Sequence, residues 1–227
     1  MPSFQFQNIP EALQFIRWVK DNDDKLRHAG NSTTNHGRIK DFKPVLRGSC
    51  VDLHMRLRTG DATGQNICTI AAEAVSHLIL DTSSLRPQHW FIDSGSASDK
   101  KGSPGFIHNG RGIEVTGEVT IPKDILWSRL RAKPDKMIAF HTSIMSRDIL
   151  NGTVGSHLQV SNGLAAMFIA CGQDVACVAE SHAALTQIRK TSGGDIQIAL
   201  SMPCLMMGTV GGGTSLPSQK VSRVVTL

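Results

Sequence analysis

The sequence predicts an α+β protein in two parts, a ferredoxin-like module followed by a second α+β layer. Helical and strand periodicities alternate over roughly the first ninety residues. A stretch rich in Gly, Ser, Asp and Pro then runs from Ser94 to Gly112, and beyond it the clearest alternating strand, Ile113 to Ile121, precedes further helical spacing. The expected boundaries are 1–93 for the ferredoxin-like part, 94–112 for an active-site loop or linker, and 113–227 for the second part. A chain of 227 residues can bury a core without covalent staples.

Asn8 followed by Glu11 is a capping-box pattern with Pro10 in the first turn, so a helix begins here. Ala12, Leu13, Ile16 and Val19 continue it, and NDDK at Asn22 to Lys25 interrupts or re-caps it. The segment Gly30 to Gly37 is polar and turn-rich. Val51, Leu53, Met55 and Leu57 alternate with Asp52, His54 and Arg56 as a half-buried strand. Ile67, Ile70, Ala71, Ala74, Val75 and Leu78 repeat at helical spacing, and His89 to Asp93 is a short strand. In the second part, helices are expected at Lys123 to Arg131, Asp135 to Leu150 and Asn162 to Ala179. Ile196, Ile198, Leu200 and Met202 mark a strand, and Val221 to Leu227 reads as a last one.

Five cysteines, odd in number and without C-x-x-C spacing, argue against a disulfide scaffold and a zinc site. Nine histidines include no H-E-x-x-H, so no metal is expected. The net charge of +5 is scattered, with no aromatic RNA-binding motif, which speaks against nucleic acid. The uncharged run Ile149 to Gln173 carries His, Asn, Gln and four glycines and is no membrane span. The N-terminus has no secretory pattern, and the chain reads as cytoplasmic.

Several segments could carry chemistry. Asp174 is expected inside the apolar 162–179 helix, where a buried carboxylate must be paired, protonated or working. DATGQN at Asp61 to Asn66 lies between a strand and a helix start, a sound place for phosphate, although such turns are also common without a ligand. DKK at Asp99 to Lys101 puts two cations in a loop, most simply a solvated patch. GTVGGGT at Gly208 to Thr214 permits close backbone approach, or is merely a loop. His157 and His182 flank the apolar helix and read first as structural. Ser94, Ser96 and Ser98 lack a nucleophile elbow.

Jointly RTGDATGQN, SGSASDKKG, GRG at Gly110 to Gly112, IACGQD, MP and GTVGGGT resemble hydroxymethylglutaryl-CoA (HMG-CoA) reductase in order and spacing, from about Pro10 to Leu216. The resemblance implies a ferredoxin-like small domain followed by part of the reductase large domain. It assigns Lys100 to polarising the substrate carbonyl and pairs it with Asp174 as the catalytic set. Ser94, Ser96, Lys101, Asn162 and His157 become candidates for substrate binding, and Arg58, Asp61, Gly64 and Asn66 for the nicotinamide cofactor.

Departures from the family pattern shape the expected function. The family's catalytic glutamate, CoA-binding segment and catalytic histidine find no counterpart in the chain, and Ser96 stands for an asparagine. Thr34 and Asn35 occupy the serine and arginine positions of the cofactor 2′-phosphate site, so NADPH should bind at least ~10-fold more weakly. These departures lead to an expected protein without cofactor that performs a non-redox cyclisation, isomerisation or pericyclic step on a small apolar terpenoid or polyketide. The alternatives are an NADPH-dependent HMG-CoA reductase forming mevalonate, or a non-catalytic partner of a full-length reductase. Apolar faces left uncovered would be met by a homodimer.

Overall fold

The computed structural model describes residues 1–96, 101–105, 107 and 110–226. It divides into two compact units, Met1–Ala97 and Ser98–Leu227. Unit 1 runs β1 (Ser3–Gln5), α1 (Ile9–Asp21), α2 (Asp23–Asn31), β2 (Arg38–Arg47), β3 (Cys50–Arg58), α3 (Gln65–Thr82) and β4 (His89–Phe91). Its sheet is antiparallel with the order β2-β3-β1-β4, the ferredoxin-like arrangement that the first part of the sequence predicts.

The Asn8 cap forms at α1, with the return bond falling one residue before the N-cap. Asn8 Oδ1 accepts the Glu11 N–H at 2.9 Å, and the Glu11 carboxylate reaches back to the Gln7 N–H at 3.3 Å. The buried stripe is Ala12, Phe15 and Val19, while Leu13 stays exposed. Phe15 meets the rings of Phe4 and Phe6 at 5.2 and 4.8 Å, and Val51, Leu53, Val75 and Ile79 close the core around them. NDDK interrupts the helix at Asn22, whose side chain donates back to Trp18 O at 2.9 Å without capping α2, and the acidic first turn of α2 favours the new start.

Two strands of this sheet are absent from the sequence reading. β1 is three residues long, too short for a period to register. β2 carries a register shift between Ile39 and Asp41, which moves its apolar residues off strict alternation. It also contains Pro44, tolerated because β2 is an edge strand.

Unit 2 runs β5 (Ile113–Ile121), α4 (Lys123–Leu130), α5 (Pro134–Asn151), α6 (Val160–Ala170), a 3₁₀ turn (Val175–Cys177), α7 (Val178–Ser181), β6 (Leu185–Lys190), β7 (Ile196–Leu205), a second 3₁₀ turn (Gly212–Ser215) and α8 (Pro217–Thr226). Its antiparallel sheet has the order β5-β7-β6. Pro203 lies in the central strand, which would cost a ladder bond elsewhere. Here β6 pairing ends at Leu185 opposite Ser201 and β5 shifts register between Ile113 and Val115, so the missing N–H falls at an irregularity.

Two expectations are corrected in this unit. The last segment is a helix, because Val221 and Val224 recur at helical spacing despite their β-branched side chains. The predicted 162–179 helix ends at Ala170, because Gly172 adopts φ 69° and packs so closely that a Cβ would lie 2.5 Å from the backbone of Gly213.

Candidate functional site

In unit 1 the sequence-predicted residues Arg58, Asp61, Gly64 and Asn66 gather on the turn from β3 into α3. Gly64 is the N-cap of α3 at φ 84°, and a Cβ there would collide with the Thr59 side chain at 2.4 Å. Thr59 Oγ1 donates to Ala62 O at 2.7 Å and braces the turn. The first helical bond runs from Cys68 N–H to Gly64 O at 2.8 Å, so the preceding first-turn amides lie at the positive end of an eighteen-residue helix. Arg58, Asp61 and Asn66 are exposed there.

The α2–β2 loop joins the same corner. A Cβ on Gly37 would sit 2.8 Å from Ile67, 3.3 Å from Thr34 and 3.7 Å from the Arg58 carbonyl. Thr34 and Asn35 bring no cation, yet Arg38 folds back over this loop and donates to Thr34 O at 3.1 Å and Gly37 O at 2.8 Å. Arg38 stands directly across the ladder from Arg58, and neither forms an ion pair among the described residues. Two like charges side by side raise the local positive potential. The motif spacing points to positions 34 and 35 for a cation; the cross-strand register instead brings Arg38 beside Arg58 at this corner.

Ser94 and Ser96 turn toward the sheet of unit 1. Ser96 Oγ donates to the nearly buried Asp52 carboxylate at 3.0 Å, and the two serine hydroxyls lie 2.5 Å apart.

In unit 2 the motif segments converge on the strand ends. Asp174 is exposed and is not the buried helix carboxylate that was expected: it caps the 3₁₀ turn, its Oδ1 accepting the Ala176 N–H at 3.1 Å. The neighbouring Gln173 side chain grips Gly208 with two bonds of 2.8 Å, one to the carbonyl and one from the N–H. IACGQD and GTVGGGT are thereby locked together, with Gly172 on Gly213. Asn162 is exposed in the first turn of α6, and Lys101 is exposed. Lys100 lies outside the described residues.

The buried carboxylate of this unit is Glu180, fully enclosed and held by Arg111 through bonds of 2.9 and 2.6 Å. Sequence reasoning overlooked it, although an acid in the apolar run after Asp174 and an arginine between two glycines were both visible.

His157 lies edge-on to His182 with ring centres 5.7 Å apart. Its Nδ1 is buried without a partner among the described residues, whereas His182 Nδ1 donates to Val178 O at 2.9 Å. Burial, reinforced by His182 and opposed by Asp148, pushes the His157 imidazole below its ordinary range. Among the described residues no cluster of three or more His, Cys, Asp or Glu could hold a metal ion. No described helix is long and apolar enough to cross a membrane.

The family described as hydroxymethylglutaryl-coenzyme A reductase matches residues 1–224. The 3-hydroxy-3-methylglutaryl-coenzyme A reductase of Haloferax volcanii is 35% identical over 219 residues, covering 96% of this chain and 54% of that protein. Its counterpart in Methanothermobacter thermautotrophicus is 32% identical over 218 residues, covering 95% and 54%. The chain thus spans about half the length of the curated relatives it matches. Among solved structures, the class II enzyme of Streptococcus pneumoniae bound to NADPH superposes with a TM-score of 0.57 at 15% identity, covering 98% of this chain and 62% of that one.

These likenesses overturn two expectations. A non-redox cyclase or pericyclase finds no support, since the relatives matched along nearly the whole chain are reductases by name. A cofactor-free protein is contradicted as well, the superposed family structure being an NADPH complex. The family match extends over residues 1–224, well beyond the positions that depart from the family pattern, and the chain belongs to the hydroxymethylglutaryl-CoA reductase family.

Proposed function

We propose that the chain carries the cofactor-binding unit of an NADPH-dependent HMG-CoA reductase, together with the stretch bearing its GQD and GTVGGGT motifs. The reaction is the reduction of HMG-CoA to mevalonate and free CoA. The observation that carries this reading is the 35% identity maintained over 96% of the chain with a reductase.

The chemistry of the unit 1 corner fits a dinucleotide phosphate: helix-end amides, a glycine cap in the left-handed region, and two exposed guanidinium groups. NADPH, when bound, supplies the hydride. Arg58 and Arg38 hold phosphate charge, and Asn66 and Asp61 orient the nucleotide at the helix start. In unit 2, Asp174 sets the charge and proton balance beside the reacting carbonyl, and by family resemblance Lys100 polarises that carbonyl. Asn162 and Lys101 bind substrate, and the apolar surface of unit 2 supports self-association as a homodimer.

The test measures NADPH binding to the full chain by fluorescence and HMG-CoA-dependent loss of NADPH absorbance. Binding and turnover are expected. Arg58→Ala should weaken NADPH binding about 10-fold. Asp174→Asn should cut turnover ~100-fold or more while leaving NADPH affinity intact. A chain that binds no NADPH under any of these conditions rules the reading out.

A further inference from the structure

We propose that Arg111 and Glu180 are positioning residues that fix the Asp174 turn on the β5-β7-β6 sheet. The catalytic meaning of this pair rests on the function proposed above; its geometric action does not.

Asp174 through Ser181 is a short run of one 3₁₀ turn and the four-residue α7. Helical segments this short have no stability of their own and take their orientation from what ties them down. One tie is Gln173, clamped on the Gly208 backbone at 2.8 Å. The other end is held by Ser181 Oγ, which accepts the Met206 N–H at 2.9 Å, and by Glu180. The Glu180 carboxylate takes both Arg111 Nε and Nη2, a bidentate fork that fixes direction as well as distance. Arg111 itself leaves the chain beside Gly112, whose Cβ, if present, would sit 2.7 Å from the Cys204 and Leu205 backbone. The fork therefore ties α7 to a point on the chain whose place against β7 is already set.

Stability alone does not account for this pair. A fully enclosed carboxylate is costly to desolvate, and apolar pairs of similar volume usually serve a fold equally well. What an apolar pair lacks is the fixed angle. Glu180 thus acts through Asp174, six residues earlier on the same strut.

The Ala176 amide, which donates to Asp174 Oδ1, gives a readout independent of turnover. In nitrogen-15 NMR spectra of the full chain its shift should move with pH as Asp174 ionises. In Glu180→Gln, and in Arg111→Met combined with Glu180→Leu, that displacement should shrink at least ~2-fold as the cap loosens. The Glu11 amide, capped by Asn8 in unit 1, should not change. The double variant should keep a melting temperature close to wild type. Where turnover is present, its kcat should drop ~10- to 100-fold with KM for NADPH unchanged. An undiminished Ala176 displacement, an unchanged kcat, or a double variant that fails to fold overturns the proposal. A wild-type chain without turnover would sink the reductase reading alone, and the Ala176 measurement would still decide this one.

Discussion

The two units bury apolar surface in different ways. Unit 1 encloses three phenylalanines between its helices and sheet, and α1, α3 and β3 each contribute a continuous buried stripe. The smaller cluster of unit 2 is made of Leu164, Phe168, Cys177, Ala183, Cys204 and Met206, two of them cysteines and one an alanine. Around it Ile149, Leu150 and Val224 remain more than 80% exposed. Unit 1 is organised around one aromatic-rich core, whereas unit 2 gains much of its order from the Gln173–Gly208 backbone clamp and the Arg111 fork on the buried Glu180. The GQD and GTVGGGT motifs lie in the unit with the smaller apolar cluster, where polar geometry ties them together.

Substitution at the two cores should separate these regimes. Phe15→Ala in unit 1 should cost about 3–5 kcal/mol, and Phe168→Ala in unit 2 distinctly less, because its surroundings can collapse into the gap. Chemical unfolding of the full chain, followed through Trp18 and Trp90 for unit 1 and Trp127 for unit 2, reads both. Equal losses would break the comparison. Gly172→Ala comes next: a left-handed residue with its Cβ against the Gly213 backbone should lose roughly 2–3 kcal/mol, confined to the Trp127 transition. A loss shared equally by all three tryptophans would mean that the units unfold as one.

The smallest effect is acid sensitivity. His157 in unit 2 and His54 in unit 1 both have imidazoles held below their ordinary range, chiefly by burial. For a depressed histidine the unfolded chain binds the proton more readily, so stability is full above about pH 6.5 and falls as the pH drops through the folded value. His157→Gln should remove the part belonging to unit 2, leaving a flatter melting-temperature profile below that pH. A variant with the wild-type profile would assign the whole effect to unit 1.

Much of unit 1 was legible because its helices show clean periodicity and an explicit cap at Asn8 and Glu11. β2 was not, since a register shift and Pro44 spoil its alternation, and such irregularity is visible only against a partner strand. β6 escaped for a related reason: Leu185 and Ile188 are three residues apart, a spacing that reads as helix. The position of Asp174 was misread because a helix-ending glycine in an apolar run looks like any other small residue until Gly213 is brought beside it. Arg38 was missed because the nearness of residues 38 and 58 belongs to the ladder rather than to the chain.

Pro203 has a consequence beyond its own strand. The run Ile196 to Met202, IQIALSM, is free of formal charge and of Gly, mostly apolar and begins with two isoleucines at strand spacing, features shared with segments that stack into cross-β fibres. A ring without a donor N–H ends that run, at a point where the folded sheet is already irregular and loses nothing by it. A gatekeeping role against fibrillation is the expectation that follows for Pro203. Pro203→Val should shorten the lag before thioflavin-positive aggregates form on heating, and a lag equal to that of the parent chain would deny it that role.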